Sequence, residues 1–462
     1  MDIISHGRNL QQNLVQTYAQ NQKTKNFFEL LNSSELSSVI EQFQPAHRER
    51  VFPPTDTLAL FLSQVQNTDS SCQNIVNQYA VQRMRSGLPV CSTHTGSYCK
   101  ARQRLPLEML SALVQQTAKL IDEQVPLQWR WKNRSVKLID GTTVTMPDTP
   151  DNQENYPQQQ GQKPGLGFPI CRIVGVICLA SGVILNAAMG PFKGKGACEQ
   201  NMLRELLDTF QTGDIVLGDG FFGTYFLLAE LVNRGVDGVF EQLGARKRAT
   251  DFRKGKKLGP SDHLITYKKP KKPDWMTQEQ YLEMPETLII RELKVSGKIL
   301  VTTILSPKEA SRQELKSIYK NRWHVELDLR NIKTTLGMET FSCKTPQMVE
   351  KEMWIYFLAY NLIRLVMAQA ASYADLEPRQ LSFKHTLQLW RAWRNQLTFF
   401  HNDNESLEIL LGLIVAKLVG NRPGRVEPRA VKRRPKPFSL LVKPRTMARE
   451  EIKKNGHPKK QK

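Results

Sequence analysis

Tyr319, Arg322, Glu326 and Lys333 follow one another at offsets of three, four and seven. On one helix those offsets stack all four side chains on a single face. A carboxylate flanked by a phenol, a guanidinium and an ammonium suits an enzyme acting on phosphodiesters. Glu326 would hold a divalent cation while Tyr319, Arg322 and Lys333 hold phosphate oxygens. The same pattern also suits an ordinary solvated face, because Arg322 and Glu326 make a good surface pair worth roughly a few tenths of a kcal/mol.

The elements that must position these groups come next. The stretch LKSIYKNRWHVELDLRNIKTTLGM, from Leu315 to Met338, lacks proline and has no glycine before Gly337, so it reads as one long helix starting near Ser311. Two aspartates stand upstream in matching settings. The run SVKLIDGTTVTM gives an apolar strand ending in Asp140, and DIVLGDGFFGTYF gives a second, Ile215 to Leu217, closed by Asp219. Either Asp-Gly pair alone reads equally as a turn, but an acid ending an apolar strand opens onto a cleft edge. Asp148, Asp151 and Asp214 lack that setting. Between the two aspartates PICRIVGVICLA and GVILNAAMG form a hairpin at Ser181 and Gly182, followed by a helix from Cys198 to Phe210.

The spacing Y-(2)-R-(3)-E-(6)-K resembles the signature of the insertion sequence four (IS-four) family of DDE transposases. The wording Asp140-Gly-Thr and Asp219-Gly-Phe-Phe agrees with it, and the resemblance runs from about residue 50 to 445. It implies an α/β fold: an RNase H-like catalytic core with a mainly β insertion, preceded by an all-helical region that binds DNA ends. In that core the first and fourth strands are neighbours, so Asp140 and Asp219 would face one another, with Glu326 entering from the later helix. Three carboxylates supply only oxygen donors, which select two ions of Mg2+ or Mn2+ over zinc. The resemblance further implies cut-and-paste chemistry: nicking at each element end, attack of the 3′ hydroxyl to form a hairpin, hairpin opening, and strand transfer into target DNA. Two subunits would join two ends as a homodimer in a synaptic complex, in the cytoplasm of a bacterium. A metal-dependent nuclease or recombinase on the same fold, or a domesticated transposase that binds DNA without cutting it, remains the alternative.

Composition is compatible with this. The 462 residues allow two or three domains with full cores. The 65 Lys and Arg against 44 Asp and Glu leave a net charge of +21, which favours a polyanionic partner, nucleic acid before membrane. Seven scattered cysteines without a C-x-x-C pair suit reduced thiols. Cys91, His94 and Cys99 lack a fourth ligand for zinc. The apolar run Ile355 to Ala371 is interrupted by Asn361 and Arg364, so no membrane span is expected.

The expected organisation is a helical end-binding region at 1–130, the first part of the core at 131–244, the insertion at 245–306, the second part of the core at 307–420, and a basic, partly disordered tail at 421–462. Within the first of these, SYCKARQRL sets Lys100 and Arg104 one turn apart beside Arg102, with Arg83 and Arg85 nearby. These five could line a recognition helix or a merely solvated face. In the insertion Trp275 is the only tryptophan. Relatives use insertion tryptophans to hold a flipped base, although a core or surface anchor is the commoner use of this residue.

Overall fold

The computed structural model describes residues 34–44, 50–194, 197–396, 403–420 and 441–456. Helices α1 (Ser34–Phe43), α2 (Pro54–Gln66), α3 (Cys72–Arg85), α4 (Gly96–Arg104) and α5 (Leu107–Glu123) come first. Ser71 caps α3 by accepting from the Asn74 amide, and prolines at or just before the first turn open α2 and α5.

The centre is one nine-stranded sheet built from β1 (Val136–Thr145), β2 (Ile170–Cys178), β3 (Ile184–Pro191), β4 (Ile215–Gly218), β5 (Asp237–Glu241), β6 (Lys256–Gly259), β7 (Asp262–Lys268), β8 (Thr287–Val295) and β9 (Lys298–Thr302). Its order is β3-β2-β1-β4-β5-β9-β8-β7-β6. Strands β1, β4 and β5 are mutually parallel, and every other pairing is antiparallel. The strands within the expected insertion therefore do not form a sheet of their own. They extend the central sheet through the pairing of β9 with β5. The β8–β9 turn places Ser296 and Gly297 at φ 47° and 79°, the positive values that a two-residue type I′ hairpin needs.

Both faces of the sheet are covered, as parallel strands require. Val136, Leu138, Leu217 and Val239 face one core; Ile139, Val216 and Phe240 face the other. The second face is covered by α6 (Glu199–Arg204) and α7 (Tyr225–Asn233). The helix expected over 198–210 is shorter than that, ending at Arg204 and resuming as a single 3-10 turn at Leu207–Thr209.

After the sheet come α8 (Arg312–Lys320), α9 (Trp323–Arg330), α10 (Pro346–Tyr373), α11 (Phe383–Gln396), α12 (Asp403–Val415) and α13 (Arg445–Asn455). Helix α10 is long and apolar enough to cross a membrane, yet 94% of its apolar window is buried inside the protein. It is a core helix, packed against α5, α2, α11 and α12. Its polar residues have partners: Asn361 brackets the Ile184 backbone, accepting from N–H at 2.8 Å and donating to C=O at 2.9 Å. The tail differs from expectation where it is described, because Arg445–Asn455 is helical. The Pro- and Arg-rich stretch 421–440 lies outside the described residues.

Candidate active site

Strand β1 runs alongside β4 only as far as the pair Leu138 and Leu217. Beyond it β1 continues to Thr145, paired on its other side to β2. Asp140 is thus not the end of a strand, as the sequence suggested. It sits mid-strand, where β4 stops and one side of β1 opens. Asp219 follows directly on β4, two residues after Leu217, as Asp140 stands two after Leu138. The parallel register therefore sets the two carboxylates side by side.

Each aspartate is oriented by its own turn. Asp140 Oδ1 accepts from the Gly141 amide at 2.8 Å, and Asp219 Oδ1 from the Phe221 amide at 2.9 Å. Burial pushes the Asp140 carboxyl up to about 6, against the pull of the Gly141 amide and Arg322, with the negative charges of Asp219 and Glu199 adding to the rise. Burial also raises Glu199, opposed by Arg172 and reinforced by Asp219. A half-buried knot of carboxylates with so little compensating charge is electrostatically costly, and that cost is what a bound dication would relieve.

The region carrying Glu326 departs from the single helix expected. Ser311 starts α8 with a capping box, accepting from the Glu314 amide while the Glu314 carboxylate accepts from the Ser311 amide. The helix then tightens: Asn321 and Arg322 donate their amides to Ile318 and Tyr319, three residues back. Helix α9 restarts at Trp323, and residues Asn331–Thr335 widen into a π turn. A tight turn followed by a wide one breaks the α-helical phase, so the four residues do not share one helical face.

Their side chains turn to different parts of the core. The Tyr319 hydroxyl donates to Gly218 C=O at 3.3 Å, beneath the start of the Asp219 turn. Arg322 pairs with Glu326 at 2.9 Å, and the Lys333 ammonium donates to Thr143 C=O on β1 at 2.8 Å. Asp140, Glu326 and Lys333 line one cavity of about 330 Å³ together with Thr142, Arg330 and Glu339. Asp219 and Tyr319 are not on its wall. Among the described residues no three Asp, Glu, His or Cys side chains stand close enough to cage an ion. Unscreened carboxylates repel one another, and Glu326 is drawn instead to Arg322. The donor set nevertheless fits a hard cation, being all oxygen and partly sheltered from water.

Residues 131–362 match the Transposase DDE domain family. The chain belongs to that family. It is a transposase, an enzyme that cleaves DNA and transfers strands. Among relatives, the Transposase InsG for insertion sequence element IS4 of Escherichia coli (strain K12) is 29% identical over 335 residues, 71% of this chain and 69% of that protein. The Putative transposase InsZ of the same organism is 28% identical over 137 residues, 29% of this chain and 45% of that protein. A cryo-EM structure of the piggyBac transposase synaptic complex with hairpin DNA is 10% identical with a TM-score of 0.42, over 90% of this chain and 87% of that one.

Other residues singled out from the transposase sequence have definite places. Lys100 and Arg104 are exposed on α4, whereas Arg102 turns inward, its guanidinium 4.7 Å from the Phe61 ring centre and 5.2 Å from that of Tyr98. Arg83 donates to Pro89 C=O at 2.9 Å, and Arg85 is exposed. Trp275 lies edge-on to Phe226 with the Arg204 guanidinium 3.5 Å over its ring.

Sequence reasoning missed two groups. Glu199 reaches the aspartates from α6, and nothing in its neighbourhood marked it. Asp328, two residues past Glu326, is fully buried and bonded to Tyr360 at 3.0 Å, to Arg379 at 3.1 Å and to Arg364. Only the two arginines beyond the signature could have hinted that a buried acid was waiting for them.

Proposed function

We propose that this transposase belongs to the IS-four type and moves an insertion sequence by cutting at the element's ends and joining them to target DNA. The observation that carries the reading is the gathering of Asp140 and Asp219 at the point where β4 ends, with Glu326 on the wall of the cavity that Asp140 also lines. The sheet order β3-β2-β1-β4-β5 supports an RNase H-like core, with the remaining strands as the insertion.

In this reading Asp140, Asp219 and Glu326 hold two ions of Mg2+ or Mn2+. Such ions would activate the attacking water or 3′ hydroxyl and stabilise the leaving oxygen. Arg322 balances Glu326 before the substrate arrives and holds a phosphate oxygen afterwards. Lys333 holds another from the cavity wall. Tyr319 acts from below, fixing the Gly218 carbonyl from which the Asp219 turn departs. The exposed Lys100 and Arg104 are placed to meet the phosphates of the element end, in a helical region spanning 1–130. Cleavage passes through hairpin ends within a homodimer that joins two ends, in the bacterial cytoplasm.

The test is cleavage of supercoiled DNA carrying the element's own ends, with and without Mg2+, by the wild type and Glu326→Ala. Cuts at the ends that need Mg2+ and vanish in the variant, with end binding retained, are expected. Nicking by Glu326→Ala would remove Glu326 from the centre, and Mg2+-independent cutting would remove the metal.

A further inference from the structure

Glu199 has no part in the signature, yet the fold is built to admit it. A Cβ on residue 141 would stand 2.5 Å from Glu199 Cδ and 2.6 Å from its Oε1, well inside van der Waals contact. The bare Cα of Gly141 is therefore what lets the Glu199 carboxylate lie against β1 immediately after Asp140. The next residue reaches the other aspartate: the Gln200 side-chain amide donates to Phe221 C=O, in the turn that Asp219 starts, and the Thr224 hydroxyl donates to Gln200 Oε1 at 3.5 Å. One short stretch thus bridges the two aspartate turns, with its carboxylate on the Asp140 side.

The resting partner of Glu199 does not lock it. Arg172 Nε lies 3.3 Å from Glu199 Oε1, an ionic contact in which that buried Nε makes no hydrogen bond. The guanidinium is held elsewhere, by Ala197 C=O at 2.8 Å and by the Phe192 ring. Glu199 can turn away without dislodging it.

The division of the carboxylates supplies the reason for it to turn. Asp140 and Glu326 share the cavity wall, and Asp219 does not line that cavity. A cation between Asp140 and Glu326 has two carboxylates at hand. One between Asp140 and Asp219 has the same two-acid supply only by sharing Asp140, although a hard dication prefers about six oxygens. We propose that Glu199 is a fourth carboxylate of the catalytic centre, an oxygen ligand to the cation held between Asp140 and Asp219, and that residue 141 lacks a side chain to let it in. This rests on the two-cation reading above.

The experiment is Mn2+ binding followed by electron paramagnetic resonance on the full chain with a pre-cleaved duplex of the element's end, in wild type, Glu199→Gln, Gly141→Ala, the double variant and Glu326→Gln. The wild type should show two classes of site. Glu199→Gln should weaken one class about tenfold or more, the scale on which supporting ligands act, and leave the other unchanged; Glu326→Gln should weaken the other. Gly141→Ala keeps the carboxylate but displaces it, so it should reproduce the Glu199→Gln loss, and the double variant should be no worse than either single one. Glu199→Asp, which keeps the charge facing Arg172 and should keep the fold, should fall between wild type and Glu199→Gln. Two intact classes in folded Glu199→Gln, or additive losses in the double variant, would overturn the assignment of Glu199 while leaving the reading of Asp140, Asp219 and Glu326 standing. No bound Mn2+ in the wild type would instead defeat the metal reading on which both depend.

Discussion

Replacing Asp328 with asparagine tests how the helix that carries Glu326 is held. Asp328 is fully buried; the side chains of Arg364 and Arg379 beside it are 4% and 10% exposed, and it is their shared counter-charge. Asparagine keeps the volume and one acceptor oxygen, so the bond from the Tyr360 hydroxyl survives. What disappears is the negative charge, leaving two guanidinium groups with none between them. Breaking a buried ion pair from one side costs about 3–5 kcal/mol, and the retained acceptor places the expected loss near about 3 kcal/mol. With a urea slope of roughly 1–3 kcal/mol per molar, the unfolding midpoint should fall by about 1–3 M, read by tryptophan fluorescence. Adding Arg364→Met should recover part of the loss, because it removes one stranded charge. A midpoint unchanged in Asp328→Asn, or a double variant worse than the sum of its parts, would show that the cluster does not hold α9 in place.

Tyr319→Phe separates two uses of one hydroxyl. If it acts by fixing the Gly218 carbonyl, stability drops by about 0.5–1.5 kcal/mol and end binding is unchanged; a loss of DNA affinity with stability intact would refute that role. Gly220→Ala would bring a Cβ within 2.6 Å of the Glu241 carbonyl oxygen, a backbone atom with little room to yield, so a cost of about 1–3 kcal/mol and loss of nicking are expected; normal nicking would count against a rigid Asp219 turn. Burial pushes the Cys178 thiol up to about 11 from its ordinary 9.0. The folded thiol therefore keeps its proton while the unfolded one loses it, so the stabilising difference is full below pH 9 and is lost as pH rises toward 11, at about 1.4 kcal/mol per unit. Cys178→Ala should flatten that part of the urea-midpoint profile, and an unchanged slope would show the thiol does not contribute.

The aspartates were legible because each belongs to an apolar run with strand character. Their adjacency followed from the order of the elements. How far β1 outruns β4 was not legible, since strand length depends on partners. The four spaced residues could be found by offset alone, but the tightening at Asn321 and the π turn at 331–335 leave no trace in side-chain type, so the shared face was an over-reading. Arg102 looked like its basic neighbours until Phe61 and Tyr98, distant or one turn away in sequence, supplied the surface it covers. The insertion strands and their Ser296–Gly297 turn were visible, whereas their union with the core sheet depends on the pairing of Val239 to Glu241 with Leu300 to Thr302. Glu199 escaped because its place is set by an absence, the missing side chain of Gly141.

The packing of α10 against α2 and α5 also bears on how the protein is made. The N-terminal helices emerge from the ribosome early, but the helix that covers them ends at Tyr373. At about 5–20 residues per second, their apolar faces wait tens of seconds for their cover, and β1 waits for β4 in the meantime. The nascent chain is thus a client for chaperones over most of its synthesis, and a ribosome that stalls before α10 releases a product whose helices lack the surface they were shaped to meet.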